Sequence, residues 1–330
     1  MYRLENTNRL LFNITMIKRT LCFSNPAYLS LKQEQLVFKI PEVENAPVSD
    51  SLKRDAVITI PIEDIGIVVL DHKQITITQG LLEKLLENNC AVITCDSAHL
   101  PVGLMLPLCG NTIQSERFRQ QIDASVPLKK QLWQQTIQQK IRNQAALLRM
   151  VHGKDVKNML VWANNVRSGD ADNLEARAAA YYWKNMFPEI EGFTRDRDGV
   201  YPNNWLNYGY AVLRAVVARA LVESGLLPTL GIHHHNRYNA YCLADDIMEP
   251  YRPYVDNLVV KLMRSGVNTE EITTDLKREF LIIPTLDVCI NKRRSPLMVA
   301  VQQTANSLQK CFKGELRKIV YPDLSETELE

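Results

Sequence analysis

Residues 231–253 concentrate the side chains that could bind a metal ion. This segment carries three consecutive histidines, His233–His235, and further on two acids, Asp246 and Glu249. If the second half is helical, these carboxylates are three positions apart and project from one face. Two negative charges held that close repel each other unless a cation lies between them, and an upstream imidazole would complete a mixed nitrogen and oxygen ligand set. Such a set suits Mg2+ or Mn2+.

The same residues also have a simpler interpretation. Three histidines in a row occur in solvent-exposed loops, and an Asp-x-x-Glu pair is common on the polar face of a helix. Residue chemistry alone leaves both interpretations open. It also leaves open which of the three histidines would be the ligand.

The composition is that of an ordinary globular protein. The chain has 330 residues, enough for a large core and two domains, with 46% hydrophobic and 23% charged residues. The absence of an apolar run of about 18 residues argues against a membrane span, and the first residues lack the apolar stretch of a secretory signal. Seven scattered cysteines without a Cys-x-x-Cys pair predict reduced thiols and a cytoplasmic protein.

The positive charge is unevenly distributed. The net charge is only +2, but residues 115–157 contain nine Lys or Arg against three Asp or Glu, and residues 290–318 contain seven against one. Each stretch has a local excess of +6, which contact with a nucleic-acid phosphate backbone requires. A solvated helix face can be equally basic, so the charge alone does not decide between the two.

The first third of the chain has the pattern of short strands. Residues 28–32, 35–40, 56–62, 66–71, 75–78 and 91–96 are rich in β-branched or alternating apolar residues, and residues 80–89 have helical spacing. We therefore predict a β-rich domain over residues 16–110. Residues 1–15 lack such a pattern and precede a second methionine, Met16. They are predicted to be a loosely ordered extension, or to be absent from the native protein if translation starts at Met16.

The remainder, residues 111–330, is predicted to be helical. Residues 116–150 contain no glycine and carry an apolar stripe through Leu132, Trp133 and Ile137. The opposite face is glutamine-rich and basic, and we predict contact with DNA for four of the basic residues in this region, Lys129, Lys130, Lys140 and Arg142.

Three further helices follow from local patterns. The Ala-rich segment 172–183 begins after an Asp-Asn pair typical of an N-cap, with Glu175 in its first turn. Residues 255–280 are predicted to continue as a helix. A last helix is predicted from Ser295 as N-cap and Pro296 as first helical residue. The fold class is therefore α+β, with a small N-terminal β-rich domain followed by a larger all-α domain.

The motifs resemble those of a known family, and the resemblance extends over the chain from Met16. The signature of the CRISPR-associated integrase of spacer acquisition, the Cas-one family, is matched by Gly231-Ile232, His234 and the block Leu243-Ala244-x-Asp246-x-Met248-Glu249-Pro250-x-Arg252-Pro253-x-x-Asp256. Residues 16–31 and the helix 131–145 look most like the branch found with type II systems, which contain Cas9.

The resemblance implies a ligand set. In the family a glutamate opening an Ala-rich helix, a histidine and a later acid bind one divalent cation, and the matching residues here are Glu175, His234 and Glu249. Asp246 is expected to support these ligands by hydrogen bonds or to serve as an alternative ligand, and Asn207 is expected to support them by hydrogen bonds. The all-α region would be the catalytic domain, and the β-rich region would serve dimerisation and positioning.

The resemblance also implies a reaction and partners. A 3′-hydroxyl of a short duplex attacks a phosphodiester at the edge of a CRISPR repeat, and the cation lowers the pKa of the attacking hydroxyl. Arg252 is expected to clamp a phosphate. The protein is expected to form a homodimer, two of which hold a small dimeric adaptor of the Cas-two family on double-stranded DNA.

Two other functions fit the residues. One is a metal-dependent repair nuclease that cuts branched DNA without the adaptor. The other is a DNA-binding scaffold without catalytic activity, which would be indifferent to metal. Loss of reaction product after substitution of the carboxylates would exclude the scaffold. A requirement for the adaptor would exclude the repair nuclease.

Overall fold

The computed structural model describes residues 18–46, 53, 57–97, 99–267, 269 and 271–326. The predicted extension over residues 1–15 and the proposed start at Met16 lie outside these ranges. The described residues of the first third of the chain include these strands and helices: β1 (Arg19–Phe23), β2 (Ala27–Lys32), β3 (Gln35–Lys39), α1 (Pro41–Glu44), β4 (Ile58–Pro61), β5 (Ile65–Leu70), β6 (Ile75–Ile77), α2 (Gln79–Glu87), β7 (Ala91–Cys95) and β8 (Pro101–Met105).

These strands form two four-stranded sheets. In the first, β1, β5 and β7 are parallel and β8 adds an antiparallel edge. In the second, the order is β4-β3-β2-β6. The β2–β3 hairpin turns at Gln33 and Glu34, which both have positive φ, as a two-residue hairpin turn requires.

The first sheet contributes to two cores because side chains alternate across a strand. Val68 and Val92 pack with residues of the second sheet and α2. Ile67, Val69 and Ile93 belong to the large core that the helices form. The β-rich and helical regions thus share a buried sheet face, while the domain boundary at residue 110 stays a prediction.

The rest of the described chain is mainly helical, which confirms the α+β class with a β-rich region first. Its elements are α3 (Gln114–Ile122), α4 (Val126–His152), α5 (Lys157–Asn165), α6 (Leu174–Met186), α7 (Asn203–Glu223), α8 (Cys242–Met248), α9 (Arg252–Arg264), α10 (Thr274–Phe280), β9 (Asp287–Ile290), β10 (Arg293–Pro296) and α11 (Leu297–Lys313). Within the described ranges, no helix is long and apolar enough to cross a membrane.

Three local predictions in this region were wrong. The region is not all-α, because β9 and β10 pair as an antiparallel hairpin. Ser295 lies in β10, and the last helix begins at Leu297 after Pro296. The helix predicted over residues 255–280 is two helices, since α9 ends at Arg264 and Thr273 starts α10 by accepting a hydrogen bond from the Leu276 N–H at 3.3 Å.

Helix α4 is the central element of the helical region. Ser125 caps it by accepting from the Leu128 N–H at 3.3 Å, and Gly153 ends it with φ 62°. The predicted glutamine-rich and basic face does not lie wholly at the surface, because the polar residues Thr136, Lys140, Asn143 and Gln144 in the middle of the helix are buried along with the apolar ones. The glutamines of that face hold neighbouring segments: Gln134 donates to the Val166 carbonyl at 2.7 Å and Gln139 to the Pro322 carbonyl at 3.1 Å.

Candidate metal and nucleic-acid site

Glu175 is positioned by the start of α6. The Asp170 carboxylate accepts hydrogen bonds from the backbone N–H groups of Leu174 at 3.0 Å and Glu175 at 2.9 Å. These are two of the N–H groups that a helix start leaves without a helical partner. Glu175 therefore lies in the first helical turn, as predicted. Asp172, the other nearby acid, forms an ion pair with Arg167.

Glu249 is positioned by the junction of two helices. Helix α8 ends at Met248, and a short 3-10 turn over Glu249–Tyr251 leads into α9. Pro250 lies in that turn, and its carbonyl accepts a hydrogen bond from the Asn143 side chain of α4 at 2.7 Å. This bond fixes the glutamate-bearing turn against α4.

His234 lies in the loop between α7 and α8, and Asp246 holds that loop. The fully buried Asp246 carboxylate accepts from the backbone N–H groups of Ile232 at 2.7 Å and His233 at 2.9 Å. It also lies 2.5 Å from His234 Nδ1. A Cβ at Gly231 would lie 2.3 Å from the His234 carbonyl oxygen and 2.8 Å from Asp246 Oδ2, so only glycine fits at that position.

Trp133 of α4 lies against the histidines. Its ring stacks on His233 at 4.1 Å with an interplanar angle of 1°, and meets the edge of His234 at 5.5 Å. Trp133 is buried, in agreement with its predicted core role. All three histidines are exposed, and they differ in their contacts: His233 stacks on Trp133, whereas His234 also contacts Asp246.

Lys140 joins the two glutamates. Its ammonium nitrogen lies 2.6 Å from Glu175 Oε1 and 2.6 Å from Glu249 Oε2. The contact with Glu249 is an ion pair without hydrogen-bond geometry, because Oε2 is a buried oxygen with no hydrogen-bond partner. Lys140 is 8% exposed and pairs with these carboxylates, and its predicted contact with DNA stays a prediction.

Arg252 contacts Glu249 from the other side. Its guanidinium lies 3.1 Å from Glu249 Oε1 and over the Tyr210 ring at 4.9 Å. Arg252 Nε is buried and has no hydrogen-bond partner. Arg252 lines a cavity of about 590 Å³ together with Arg195, Arg197 and Arg214. A phosphate-binding role for Arg252 stays a prediction, and this cavity is where the phosphate would bind.

Asn207 lies in that arginine-lined cavity. Its side chain accepts from Arg195 at 2.5 Å and donates to the Arg197 carbonyl at 2.6 Å. These hydrogen bonds hold the loop that carries the arginines, and the predicted support of the metal ligands by Asn207 stays a prediction. Sequence spacing could not show these hydrogen bonds, because Asn207 and the loop lie ten to twelve residues apart.

The remaining basic residues of α4 lie nearer its surface. Lys130 is exposed, whereas Lys129 and Arg142 are half-buried. Arg142 donates to the Asn164 side chain at 3.1 Å. Contact of these three residues with DNA stays a prediction.

The cations of the site favour the charged form of Glu249. Burial opposes the charged form of Glu249, but Arg252 and Lys140 outweigh it and lower its pKa. Burial also opposes the charged form of Lys140, but Glu249 and Glu175 outweigh it and raise its pKa. The hydrogen bond with Asp246 raises the pKa of His234, despite an opposing effect of burial. Lys140 and Glu249 form the buried part of a cluster of alternating charges, in which Glu175 and His234 are more exposed.

The residues fit a divalent cation by their chemistry. Because Asp246 contacts His234 Nδ1, the Nε2 atom is the nitrogen available to a metal, and carboxylate support of this kind is typical of metal-bound histidines. Glu249 Oε2 adds an oxygen without a hydrogen-bond partner. Among the described residues, no three His, Cys, Asp or Glu side chains are close enough together to hold a metal ion, and the Lys140 ammonium contacts both glutamates instead.

The chain is similar to one protein family over most of its length. Residues 21–282 match the family model described as CRISPR associated protein Cas1. The chain is 36% identical over 296 residues to the CRISPR-associated endonuclease Cas1 of Neisseria meningitidis serogroup C (strain 8013), with 89% of this chain and 92% of the relative covered. It is 31% identical to a CRISPR-associated endonuclease Cas1 of Saccharolobus solfataricus, covering 75% of this chain and 76% of the relative.

Solved structures share the fold. A casposase bound to integration product superposes with a TM-score of 0.72 at 18% identity, covering 94% of both chains. A Cas1 protein from Thermotoga maritima gives 0.70 at 14% identity, with 90% of this chain and 98% of that chain covered. A chain of a Cas6-RT-Cas1–Cas2 complex gives 0.70 at 19% identity, with 91% of this chain and 35% of that chain covered.

Proposed function

We propose, since this chain belongs to the CRISPR associated protein Cas1 family, that it is a divalent-metal-dependent DNA endonuclease and integrase. It would insert short DNA fragments into a CRISPR array. The observation that carries the proposal is the convergence of two carboxylates from distant parts of the chain, Glu175 and Glu249, on one ammonium at 2.6 Å each. A site that draws two carboxylates together around a positive charge is suited to a divalent cation.

The ligands in this proposal are Glu175, His234 and Glu249, and the cation is Mg2+ or Mn2+. When bound, the cation would supply Lewis-acid catalysis of phosphodiester exchange. Asp246 would orient His234 through Nδ1 and keep Nε2 directed away from itself. Each substitution of a ligand should therefore remove both metal binding and catalysis.

The DNA substrate would be bound by cations around the site. Arg252 extends from Glu249 toward the cavity that Arg195, Arg197 and Arg214 line, and guanidinium groups bind phosphate with two parallel hydrogen bonds. Lys130 on α4 would contact the backbone further away. The fold shared with a casposase bound to integration product supports strand transfer as the reaction.

The partners in this proposal are double-stranded DNA and a small dimeric adaptor. Similarity to a chain of a Cas6-RT-Cas1–Cas2 complex supports a Cas2-type adaptor. A homodimer, two of which hold the adaptor, and the type II branch complete the proposal and rest on the motif resemblance. A cytoplasmic location rests on the cysteine pattern of the sequence. Repair cleavage of branched DNA and passive DNA binding are the functions that the test must separate from integration.

The test is strand transfer in vitro. A labelled short duplex with a free 3′-hydroxyl is incubated with a plasmid carrying a leader and repeat, the purified adaptor, and Mn2+ or Mg2+. Wild type is compared with Glu175→Ala, His234→Ala and Glu249→Ala, and with Glu83→Ala as control, since Glu83 is exposed on α2. Mn2+ binding is measured for each protein by electron paramagnetic resonance.

We expect metal-dependent joining at the repeat boundary for wild type and the control. Loss of a hydrogen bond to a ligand typically costs 10- to 100-fold, so loss of a ligand should reduce joining by at least about 100-fold while DNA binding persists. Joining that survives in all three variants would contradict the ligand set. Cleavage of branched DNA without adaptor, with no joining in its presence, would instead indicate the repair nuclease, and metal-independent binding without products would indicate the scaffold.

A further inference from the structure

Lys140 occupies the position that matters most to the two proposed carboxylate ligands. Among the described residues, it is the cation within ion-pair distance of both Glu175 and Glu249, at 2.6 Å from each. Arg252, the other cation on Glu249, contacts the opposite oxygen Oε1. A Mg2+ ion bound by both carboxylates would need oxygens at about 2.0–2.1 Å. A Mg2+ ion at that distance from both carboxylates and the Lys140 ammonium at its observed position would therefore occupy the same space.

We propose that Lys140 is a positioning residue that acts as a tethered counter-cation of the metal site. Its ammonium holds Glu175 and Glu249 together when no divalent cation is bound, and a divalent cation displaces it on binding. This inference rests on the ligand set of the proposed function. It adds a role for a residue that contacts both ligands without being one.

The surroundings of Lys140 support displacement rather than a fixed structural pair. Two ionised carboxylates that contact the same ammonium lie close enough to repel each other, so the metal-free site needs a buried cation. The lysine side chain has four flexible carbons, so its ammonium can withdraw while the helix stays in place. The backbone cannot shift easily, because Asn143, three residues along α4, donates to the Pro250 carbonyl at 2.7 Å.

The position also explains why a lysine lies in the middle of a buried helix. Lysine is almost never buried unless it is paired, and Lys140 is 8% exposed. A purely structural ion pair would need one carboxylate, yet Lys140 contacts two from separate elements. One ammonium carries half the charge of a divalent cation. Lys140 places that charge between the two carboxylates that are the proposed ligands.

The experiment measures Mn2+ affinity and metal-free stability of the full chain. Lys140→Met removes the charge and keeps a flexible side chain of similar length. Lys154→Met is the matched control, because Lys154 is exposed just after α4. Mn2+ binding is titrated by electron paramagnetic resonance, and thermal melting is followed in chelator and in Mn2+.

We expect the Lys140→Met variant to melt at a lower temperature than wild type in chelator, because the carboxylates then repel without a counter-cation. We expect its Mn2+ affinity to rise by at least about tenfold, because the competitor is gone, and its melting temperature to recover in Mn2+. The control should match wild type in both measurements. A folded Lys140→Met variant with unchanged or weaker Mn2+ affinity would overturn the inference.

Lys140→Gln is the second variant, in case the methionine variant does not fold in chelator. Folding of either variant in Mn2+ alone would support the inference, since the metal then replaces the ammonium. Failure of both variants to fold even in Mn2+ would overturn it. Glu249→Gln in the same titration separates the two proposals: undiminished Mn2+ binding there refutes the ligand set, whereas lost binding there with an unchanged Lys140→Met variant refutes only the role of Lys140.

Discussion

Glu249 and Asp256 are buried carboxylates seven residues apart in one continuous helical segment, but their environments are opposite. Glu249 lies between the cations Lys140 and Arg252, which lower its pKa against the effect of burial. Asp256 accepts hydrogen bonds from the hydroxyls of Tyr182 at 2.6 Å and Tyr210 at 2.5 Å. Burial raises its pKa to about 6, and these two hydrogen bonds offset the rise only in part.

The difference separates a carboxylate available for chemistry from one that supports the fold. A metal ligand must be ionised, and the cations around Glu249 ensure this. Asp256 instead fixes Tyr210, the ring over which Arg252 lies at 4.9 Å. The two acids therefore act on the same arginine from opposite ends, Glu249 by charge and Asp256 through a tyrosine.

The largest expected effect comes from removing the charge of Glu249 alone. The Glu249→Gln variant leaves Lys140 and Arg252 without their shared anion. Because breaking a buried ion pair on one side costs about 3 to 5 kcal/mol, we expect the free energy of unfolding to fall by that order in urea titrations. Glu175→Gln should cost less, since the Glu175 side chain is 24% exposed and water can compensate. Equal losses of unfolding free energy in the Glu249→Gln and Glu175→Gln variants would show that the deeper burial of Glu249 does not raise the cost of removing its charge.

The Asp256→Asn variant tests the other half of the comparison through pH. The folded pKa of about 6 lies above the reference value of 3.8, so between pH about 4 and about 6 the folded protein keeps a proton that the unfolded chain has released. The free energy of unfolding therefore falls as pH rises through this window and is constant above it, by up to about 3 kcal/mol from this residue.

The asparagine variant lacks this titration. Relative to the variant, wild type should lose stability as pH rises from about 4 to about 6 in urea unfolding at fixed ionic strength. Parallel pH profiles of wild type and variant would show that Asp256 is ionised throughout this range.

The smallest effect concerns the cations of α4. Lys130 is exposed ten residues before the buried Lys140, so the Lys130→Gln variant should leave Mn2+ affinity unchanged and weaken DNA binding. We expect the slope of log affinity against log salt to decrease by about 1 if one phosphate contact is lost. Lys73→Gln, exposed beyond β5, is the control. An unchanged slope would indicate that Lys130 is only solvated.

The helices and strands could be predicted from the sequence more accurately than the contacts that they make. Strands β2 and β3 and the start of α6 follow from side-chain alternation and from acids at a helix start, which are local properties. The hairpin of β9 and β10 was not predicted, because the segment 287–296 is short and carries several charges. The pairing of its two strands depends on packing against α11. The shared sheet face of β5 and β7 was equally invisible, because both faces of these strands are apolar.

The candidate site divides in the same way. The family resemblance predicted Glu175, His234 and Glu249 as ligands, and this set stays a prediction. The contacts of Asp246 with His234, of Lys140 with the two glutamates and of Asn207 with the arginine loop were visible only in the structure. Helical periodicity shows which residues share a face, but it does not show what that face contacts.

The sequence by itself determined the order of β-rich and helical regions, the family, and the residue types from which a metal site can be built, because local propensity and motif spacing are written along the chain. Only the tertiary structure decided which charges meet. Lys140, Glu175 and Glu249 are separated by 35 and 74 residues and lie together because α4 passes through the middle of the helical core. In that low-dielectric position a lysine predicted to face DNA becomes the partner of two carboxylates.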